Sequence, residues 1–137
     1  MRAIRPTFTW TLPWPRVATN NLYATIDGRR AMVPKARRWR DAAIVIVRQA
    51  SGPVAPPAPL SLSYIAYAPD DHRRHDVDGV VKLLMDSIAA AWLIDDAQFV
   101  ELHAYKITVP KGEERLEATV GTSNALKFLP LRGVEHA

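Results

Sequence analysis

The chain has 137 residues, of which 48% are hydrophobic and 23% are charged, a composition that fits one folded domain and excludes wholesale disorder. It contains no cysteine, which excludes disulfides and thiolate zinc sites and favours a reducing compartment, so a cytoplasmic protein is expected. The net charge of +4 favours an acidic partner, and because no apolar stretch approaches the ~20 residues of a membrane span, no membrane association is expected.

The positive charge is concentrated in residues 28–48, where seven basic side chains stand against one acid. Such a cluster favours attachment to the phosphates of a nucleic acid. Basic residues on a helix surface are also common as a solvated face, and the sequence leaves both interpretations open. From this cluster we expect Arg29, Arg30 and Lys35 to contact phosphate groups.

The first half of the chain predicts one strand and one helix. Threonine alternates with large apolar residues over residues 7–12, which is the period of a half-buried strand. Residues 13–34 are expected to form a long loop or irregular hairpin, with a turn signal at Asp27-Gly28. From Lys35 to Gly52-Pro53, apolar residues recur every three to four positions, which predicts an amphipathic helix.

The second half predicts a strand, a second helix and two further strands. Alternation over residues 60–68 indicates a strand, and helical spacing up to Trp92 indicates a helix that begins at or near Asp78. Residues 99–109 and 115–121 have the pattern of two strands joined by a turn, which predicts a hairpin. The order β-α-β-α-β-β favours an α+β fold of two layers, a mixed and mostly antiparallel sheet with two helices on one face.

The length is that of a single domain, which we expect to occupy residues 1–137. Residues 122–137 show no clear period. They are expected to extend along the surface or to contact a partner.

Three carboxylates are spaced so that they can converge. In an extended segment residues i and i+2 point the same way, so Asp76 and Asp78 are expected to project together. Asp96 opens a later strand and could return to the same sheet edge. A divalent cation, Mg²⁺ or Mn²⁺, would remove the repulsion among the three acids and could activate water beside a phosphate. The alternative is structural, because Asp78 is a natural N-cap and Asp95-Asp96 could form a turn.

Lys82 lies one helical turn beyond Asp78, where its ammonium could contact a phosphate in the transition state. The alternative is an Asp78–Lys82–Asp86 ladder on an exposed helix, which would contribute only about 0.3–0.5 kcal/mol per pair. His72 and His75 could bind zinc, but two histidines in a charged loop without thiolates more often contact phosphate or solvent.

Four groups of residues between positions 7 and 121 form a recognisable set. They are Leu12-Pro13-Trp14-Pro15; Arg73-Arg74-His75-Asp76-Val77-Asp78 with Lys82 and Asp86; Asp95-Asp96-Ala97-Gln98 with Val100 and Lys106; and Lys111-Gly112 with Arg115-Leu116-Glu117. Together they resemble the RusA-like Holliday junction resolvases, endodeoxyribonucleases common in phages and prophages. An Asp-x-Asp pair alone is weak evidence, but the pair followed by a helix and then Asp-Asp-x-Gln is specific.

The resemblance implies a homodimer that binds four-way DNA junctions and makes paired, symmetric, Mg²⁺-dependent cuts in recombination and repair. By position, Asp76, Asp78 and Asp96 are similar to the family's metal-binding catalytic acids, and Lys82 to its catalytic lysine. The residues expected to contact DNA are Arg73, Arg74, His75, Lys106, Arg29, Arg30 and Lys35.

Two positions depart from the family pattern. Gly79 stands where the family usually has asparagine, which removes a side chain from the loop. His75 replaces a basic residue before the first acid and would make binding more sensitive to pH. Two alternatives to the junction resolvase stay open: a nuclease for other branched DNA such as flaps and forks, and a basic DNA-binding module whose acids only cap a helix and a turn.

Overall fold

The structure is a computed structural model that describes residues 7–17 and 22–127. Its strands and helices are, in chain order, β1 (Phe8–Pro13), β2 (Tyr23–Ile26), β3 (Arg29–Met32), α1 (Pro34–Ser51), β4 (Leu60–Pro69), α2 (Val81–Trp92), β5 (Phe99–Val109) and β6 (Arg115–Thr122). Short 3-10 helices lie at Asp96–Gln98 and Ala125–Lys127. Within the described ranges, no helix has both the length and the apolar character needed to cross a membrane.

Four of the strands form one mixed sheet in the order β1-β6-β4-β5. The β4–β5 pair is parallel, whereas β1–β6 and β4–β6 are antiparallel. A parallel pair needs a long crossover connection, and α2 lies in it. The predicted mixed, mostly antiparallel sheet is therefore confirmed, together with the α+β class and the order of the main elements. The predicted hairpin of β5 with β6 is wrong, because β4 lies between these two strands and pairs with both.

A separate two-stranded hairpin, β2–β3, lies within the segment predicted as a long loop or irregular hairpin. Ile26 pairs with Arg29, so the connecting loop is only Asp27 and Gly28. Both loop residues have positive φ, 52° and 76° respectively, as a tight two-residue hairpin turn requires. The turn predicted from Asp27-Gly28 is thus present, and the strands on either side of it are mostly exposed.

The core lies between the helices and one face of the sheet. Strand β4 alternates strictly, with Leu60, Leu62, Tyr64 and Ala66 buried and the residues between them half-buried. The buried positions of β1 and β6 join the same core as those of α1 and α2. Both helices therefore cover one face of the sheet, as predicted, because the buried residues of both pack into this one core.

Helix α2 begins later than predicted, at Val81 and not at or near Asp78. Residues 77–80 form a turn in which the Gly79 amide donates to the Asp76 carbonyl at 3.0 Å and the Val81 amide donates to the Asp78 carbonyl at 3.2 Å. The N-cap position falls on Val80, and no side chain caps the helix. Asp78 is therefore not an N-cap, and the extended geometry expected for it is replaced by a turn.

The end of the chain is described only in part. Strand β6 continues to Thr122, and a 3-10 helix follows at Ala125–Lys127. Residues 128–137 lie outside the described residues. The prediction of a partner-contacting tail over 122–137 and of one domain over 1–137 stays a prediction.

Candidate active site

The loop that joins β4 to α2, residues 70–80, lines a groove of about 940 Å³. Six of the predicted site residues border this groove: Lys35, Arg73, Arg74, His75, Asp76 and Asp78. A smaller concavity of about 400 Å³ contains Asp96 together with Tyr23, Arg40, Asp86 and Asp95. The predicted acids are thus distributed between two concave surfaces, two in the first and one in the second.

The acid-bearing loop is anchored to the sheet through its backbone carbonyls. The Tyr64 hydroxyl of β4 donates to the Val77 carbonyl at 2.6 Å. The Lys106 ammonium of β5 donates to the His75 carbonyl at 2.7 Å. These two carbonyls flank Asp76, so the position of its backbone is set by side chains from two neighbouring strands.

Gly79 allows the turn after Asp76 to be tight. A Cβ atom at position 79 would lie 3.2 Å from the Asp76 carbonyl oxygen, closer than side-chain carbons normally approach. From the sequence, glycine here was expected only to remove a supporting side chain from the loop. In the structure it also permits a close approach between two stretches of backbone.

One of the two arginines of the loop has an acidic partner. The Arg74 Nε atom donates to Asp76 Oδ1 at 3.0 Å, with the arginine side chain 89% exposed and the aspartate 59%. An ion pair this exposed contributes only about 0–1 kcal/mol and is easily exchanged for another anion. Arg73 is also exposed, and its backbone amide donates to Asp71.

His75 does not present a free ring to the groove. Its Nε2 atom lies 2.9 Å from Asp71 Oδ1, and its ring meets Trp14 edge-on with centroids 5.4 Å apart. The hydrogen bond from His75 is the main cause that holds the pKa of Asp71 below its ordinary value. The structure thus gives His75 a loop-ordering contact, and a direct contact with DNA stays a prediction.

Lys82 contacts two acids of the smaller concavity. Its ammonium donates to Asp86 Oδ1 at 3.2 Å and lies 3.6 Å from Asp96 Oδ2. The hydrogen bond to Asp86 is the main cause that raises the pKa of Lys82, so this ammonium is positively charged at neutral pH. The expected partner of Lys82 on the helix was Asp78 as well as Asp86, but the ion pairs in the described residues link it to Asp86 and Asp96.

Asp95 and Asp96 have different environments although they are neighbours. The Asp95 carboxylate accepts from the Ala97 amide at 2.8 Å and caps the short 3-10 helix. The predicted turn at Asp95-Asp96 is therefore present, with Asp95 as its capping residue. The Asp96 carboxylate points instead to Lys82.

The remaining predicted basic residues lie outside the large groove. Arg29 and Arg30 are exposed on β3, and the Arg30 guanidinium lies over the Tyr23 ring at 5.2 Å from its centroid. Lys106 is exposed on β5, and its ammonium donates to the His75 carbonyl of the loop.

Arg16 was not among the predicted site residues, but it borders the large groove, where it lies 3.3 Å from Glu114. Arg16 could have been recognised from the sequence by its position directly after the Leu12-Pro13-Trp14-Pro15 motif.

The side chains suit a hard cation chemically, because carboxylate oxygens are the ligands that Mg²⁺ and Mn²⁺ prefer. Over residues 7–17 and 22–127, however, no three or more acidic, histidine or cysteine side chains are close enough to form a metal-binding group. Mg²⁺ is commonly bound through only one or two carboxylates, waters and substrate phosphates. The three-acid metal site therefore stays a prediction.

Carboxylates, a held ammonium and exposed guanidinium groups on concave surfaces are the groups with which nucleases bind and cleave a phosphodiester backbone. The site is thus typical of a nuclease.

Comparison with known proteins identifies the family. Residues 13–120 match the family model described as Endodeoxyribonuclease RusA. Crossover junction endodeoxyribonuclease RusA of Escherichia coli strain K12 is 34% identical over 116 residues, which cover 83% of this chain and 93% of that protein. The chain belongs to the RusA family of endodeoxyribonucleases, which confirms the resemblance and the predicted enzyme class.

Phage proteins are also among the relatives. The crossover junction endodeoxyribonucleases of Enterobacteria phages 82 and HK97 are 33% and 28% identical to this chain. The alignments cover 83% and 82% of this chain, respectively, and 93% of each phage protein. The predicted occurrence of such proteins in phages is thereby confirmed.

The hydrogen bond from Tyr64 predicts a pH-dependent stability. Burial, and secondarily the charge of Asp78, raises the pKa of Tyr64 to about 12, whereas an unfolded tyrosine has a pKa of about 10. Between pH 10 and 12 the unfolded state loses this proton first, so the stabilisation from Tyr64 is complete below pH 10 and decreases above it. We expect Tyr64→Phe to lower the free energy of unfolding by about 1–2 kcal/mol at pH 7–9, and this deficit to shrink as the pH rises towards 12.

Urea unfolding of both proteins across this pH range measures the deficit. Tyr105→Phe, a change on the exposed surface of β5, is the matched control and should have little effect at any pH. A deficit for Tyr64→Phe that stays constant from pH 8 to pH 12 would contradict this account.

Proposed function

We propose that this protein is a Mg²⁺-dependent endonuclease that resolves Holliday junctions by paired, symmetric phosphodiester cleavage in DNA recombination and repair. The observation that carries the proposal is the anchored loop, which presents Asp76 and Asp78 together with Arg73 and Arg74 in one groove. The relatives named crossover junction endodeoxyribonucleases support the choice of a four-way junction as substrate. A DNA substrate also supports a location in the cytoplasm.

In this proposal Asp76, Asp78 and Asp96 supply the carboxylate oxygens that bind Mg²⁺, or Mn²⁺ in its place. The cation supplies an activated water and neutralises charge on the phosphate. The contact between Lys82 and Asp96 supports a shared role, because it places an ammonium beside one of the proposed ligands. This ammonium would stabilise the additional negative charge of the transition state.

The basic residues would attach the DNA backbone without reading its sequence. Arg73, Arg74 and Lys35 border the large groove and are exposed, so their charges can reach phosphates. Arg29 and Arg30 extend the positive surface onto the hairpin. We propose the same role for His75 and Lys106 only after their present contacts with the loop are exchanged, because both are engaged there.

We further propose that the active form is a homodimer. A four-way junction contains two equivalent strands to be cut, and a two-fold dimer presents two equivalent sites to them. Paired symmetric cuts then follow from the symmetry of the complex, without a second kind of active site.

The first prediction from this function concerns cleavage. The wild-type protein should make paired nicks in a synthetic four-way junction with Mg²⁺, none with EDTA, and far fewer in a matched linear duplex. Asp76→Asn should lower the cleavage rate at least about 100-fold, because it removes a cation ligand. Junction binding should be retained or strengthened, since a negative charge near phosphate is lost.

Asp70→Asn is the control for that change. Asp70 lies at the start of the same loop and is exposed, so the variant loses the same charge without touching the proposed ligand set. Equal cleavage by Asp76→Asn and wild type would exclude Asp76 from the metal site, and no cleavage of any DNA by the wild type would favour a DNA-binding module. Preferential cutting of flaps or forks would instead assign the enzyme to other branched DNA.

The second prediction concerns salt. If attachment is mainly through lysine and arginine, the logarithm of the junction association constant should fall linearly with the logarithm of salt concentration. Arg29→Gln and Arg30→Gln should each reduce the magnitude of this slope by about 1. Fluorescence anisotropy in EDTA, between about 50 and 200 mM salt, measures binding without cleavage, and a slope unchanged in both variants would place the DNA away from the hairpin.

A further inference from the structure

Two side chains that have no role in the proposed chemistry surround Lys82. Asp86 lies one turn further along α2, and its Oδ1 atom accepts from the Lys82 ammonium at 3.2 Å. The other oxygen of the same carboxylate, Oδ2, accepts from the Tyr23 hydroxyl at 3.4 Å. Asp86 is thus held between a residue of its own helix and a residue of the β2–β3 hairpin.

The Lys82–Asp86 pair is poorly explained as a device for stabilising the helix. In pairs four residues apart, the favourable order places the acid before the lysine, and here the lysine comes first. The Asp86 side chain is only 18% exposed, whereas that of Lys82 is 48% exposed. The more buried carboxylate therefore acts as a fixed point for a long, flexible and more exposed side chain.

Without such a fixed point the Lys82 ammonium would be widely distributed. A lysine side chain loses more rotamer entropy than most side chains when it is held in one conformation. Asp96, the second partner at 3.6 Å, is itself 42% exposed and is too distant for a strong hydrogen bond. The shorter contact with Asp86 is the one that sets the direction of the side chain.

Tyr23 connects this pair to another part of the molecule. It begins β2, which belongs to the hairpin and not to the main sheet. The Arg30 guanidinium of the same hairpin lies over the Tyr23 ring. A continuous series of contacts therefore leads from Arg30 through Tyr23 and Asp86 to Lys82.

We propose that Asp86 and Tyr23 are positioning residues, which hold the Lys82 ammonium beside Asp96 by a hydrogen-bonded series from the hairpin to the active site. The inference deepens the proposed function, because it assumes that Lys82 acts on the phosphate during cleavage. Asp86 acts directly on the ammonium, and Tyr23 acts through Asp86. Neither residue is assigned a contact with the substrate.

The test is a double-mutant cycle on single-turnover cleavage of a four-way junction at saturating enzyme. We expect Asp86→Asn to lower the rate about 10- to 100-fold, an effect of the size found for supporting residues of active sites. Tyr23→Phe should lower it less, and Asp86→Glu should restore part of the rate lost in Asp86→Asn. In the Lys82→Ala background, Asp86→Asn should cause no further loss, since its effect passes through the ammonium.

Junction affinity and thermal stability separate positioning from a general structural role. Both should stay close to wild type in Asp86→Asn and Tyr23→Phe, with Tyr105→Phe as the matched tyrosine control on the exposed surface of β5. An equal loss of rate from Asp86→Asn in the presence and absence of the Lys82 side chain would overturn the proposal.

A second measurement does not need cleavage. In protein with isotope-labelled lysine, the two Hε protons of Lys82 should have distinct NMR chemical shifts in the wild type and merge in Asp86→Asn, as the side chain becomes free to rotate. An Asp86→Asn spectrum identical to wild type at Lys82 would overturn positioning, whatever the cleavage result. An ordered Lys82 in a wild-type protein that cuts no junction would instead uphold the positioning contact and overturn the proposed function.

Discussion

The hydrogen bond from the Tyr64 hydroxyl to the Val77 carbonyl is the contact on which the geometry of the site depends. Tyr64 lies in β4, between β5 and β6, with only 1% of its surface exposed, so its position is set by the core. Its hydroxyl reaches out of that core to the backbone of the loop that joins β4 to α2. Lys106, which neighbours Ala66 across the β4–β5 pair, holds the carbonyl two residues earlier. The sheet thereby determines where the backbone of Asp76 lies, and packing of the core becomes a condition for the chemistry of the loop.

Several acids lie close together in the chain near the site, and their charges determine its electrostatics. Uncompensated carboxylates this close in the chain would raise one another's pKa and destabilise the fold. In the structure three acids are instead compensated by three cationic or ionisable partners: Asp76 by Arg74, Asp71 by His75, and Asp86 by Lys82. The Arg74–Asp76 pair is highly exposed, so little free energy is lost if the arginine moves to a phosphate and the aspartate to a cation. The Lys82–Asp86 pair involves a more buried carboxylate and is suited to remain in place.

The sequence correctly predicted the strands and helices in which buried and exposed residues alternate regularly. Strand β4 and helix α1 have clear periods of 2 and of 3 to 4, because each has one face in the core. The hairpin has no such sorting, since all four residues of β2 are exposed, and only its Asp-Gly turn could be recognised. The start of α2 was misplaced because Asp78 has the side chain of a good N-cap, whereas the turn at residues 77–80 is held by contacts with Tyr64 and within the backbone.

The sequence predicted which residues lie near the site, but not the partners that their side chains contact. The contact of Lys106 with the His75 carbonyl spans 31 positions and depends on the register of β4 with β5.

Neighbouring acids in this chain have different structural contacts, which explains why spacing alone left both interpretations open. Asp95 uses its carboxylate on the Ala97 amide and so starts the 3-10 helix that leads into β5. That cap fixes the backbone of the next residue, and the Asp96 side chain is then directed towards Lys82. In the same way the loop assigns Asp71 to His75 and leaves Asp76 on the exposed side of the groove. Asp96 and Asp76 thus each follow an acid with a structural contact, and that contact supplies rigidity to a site built on loops.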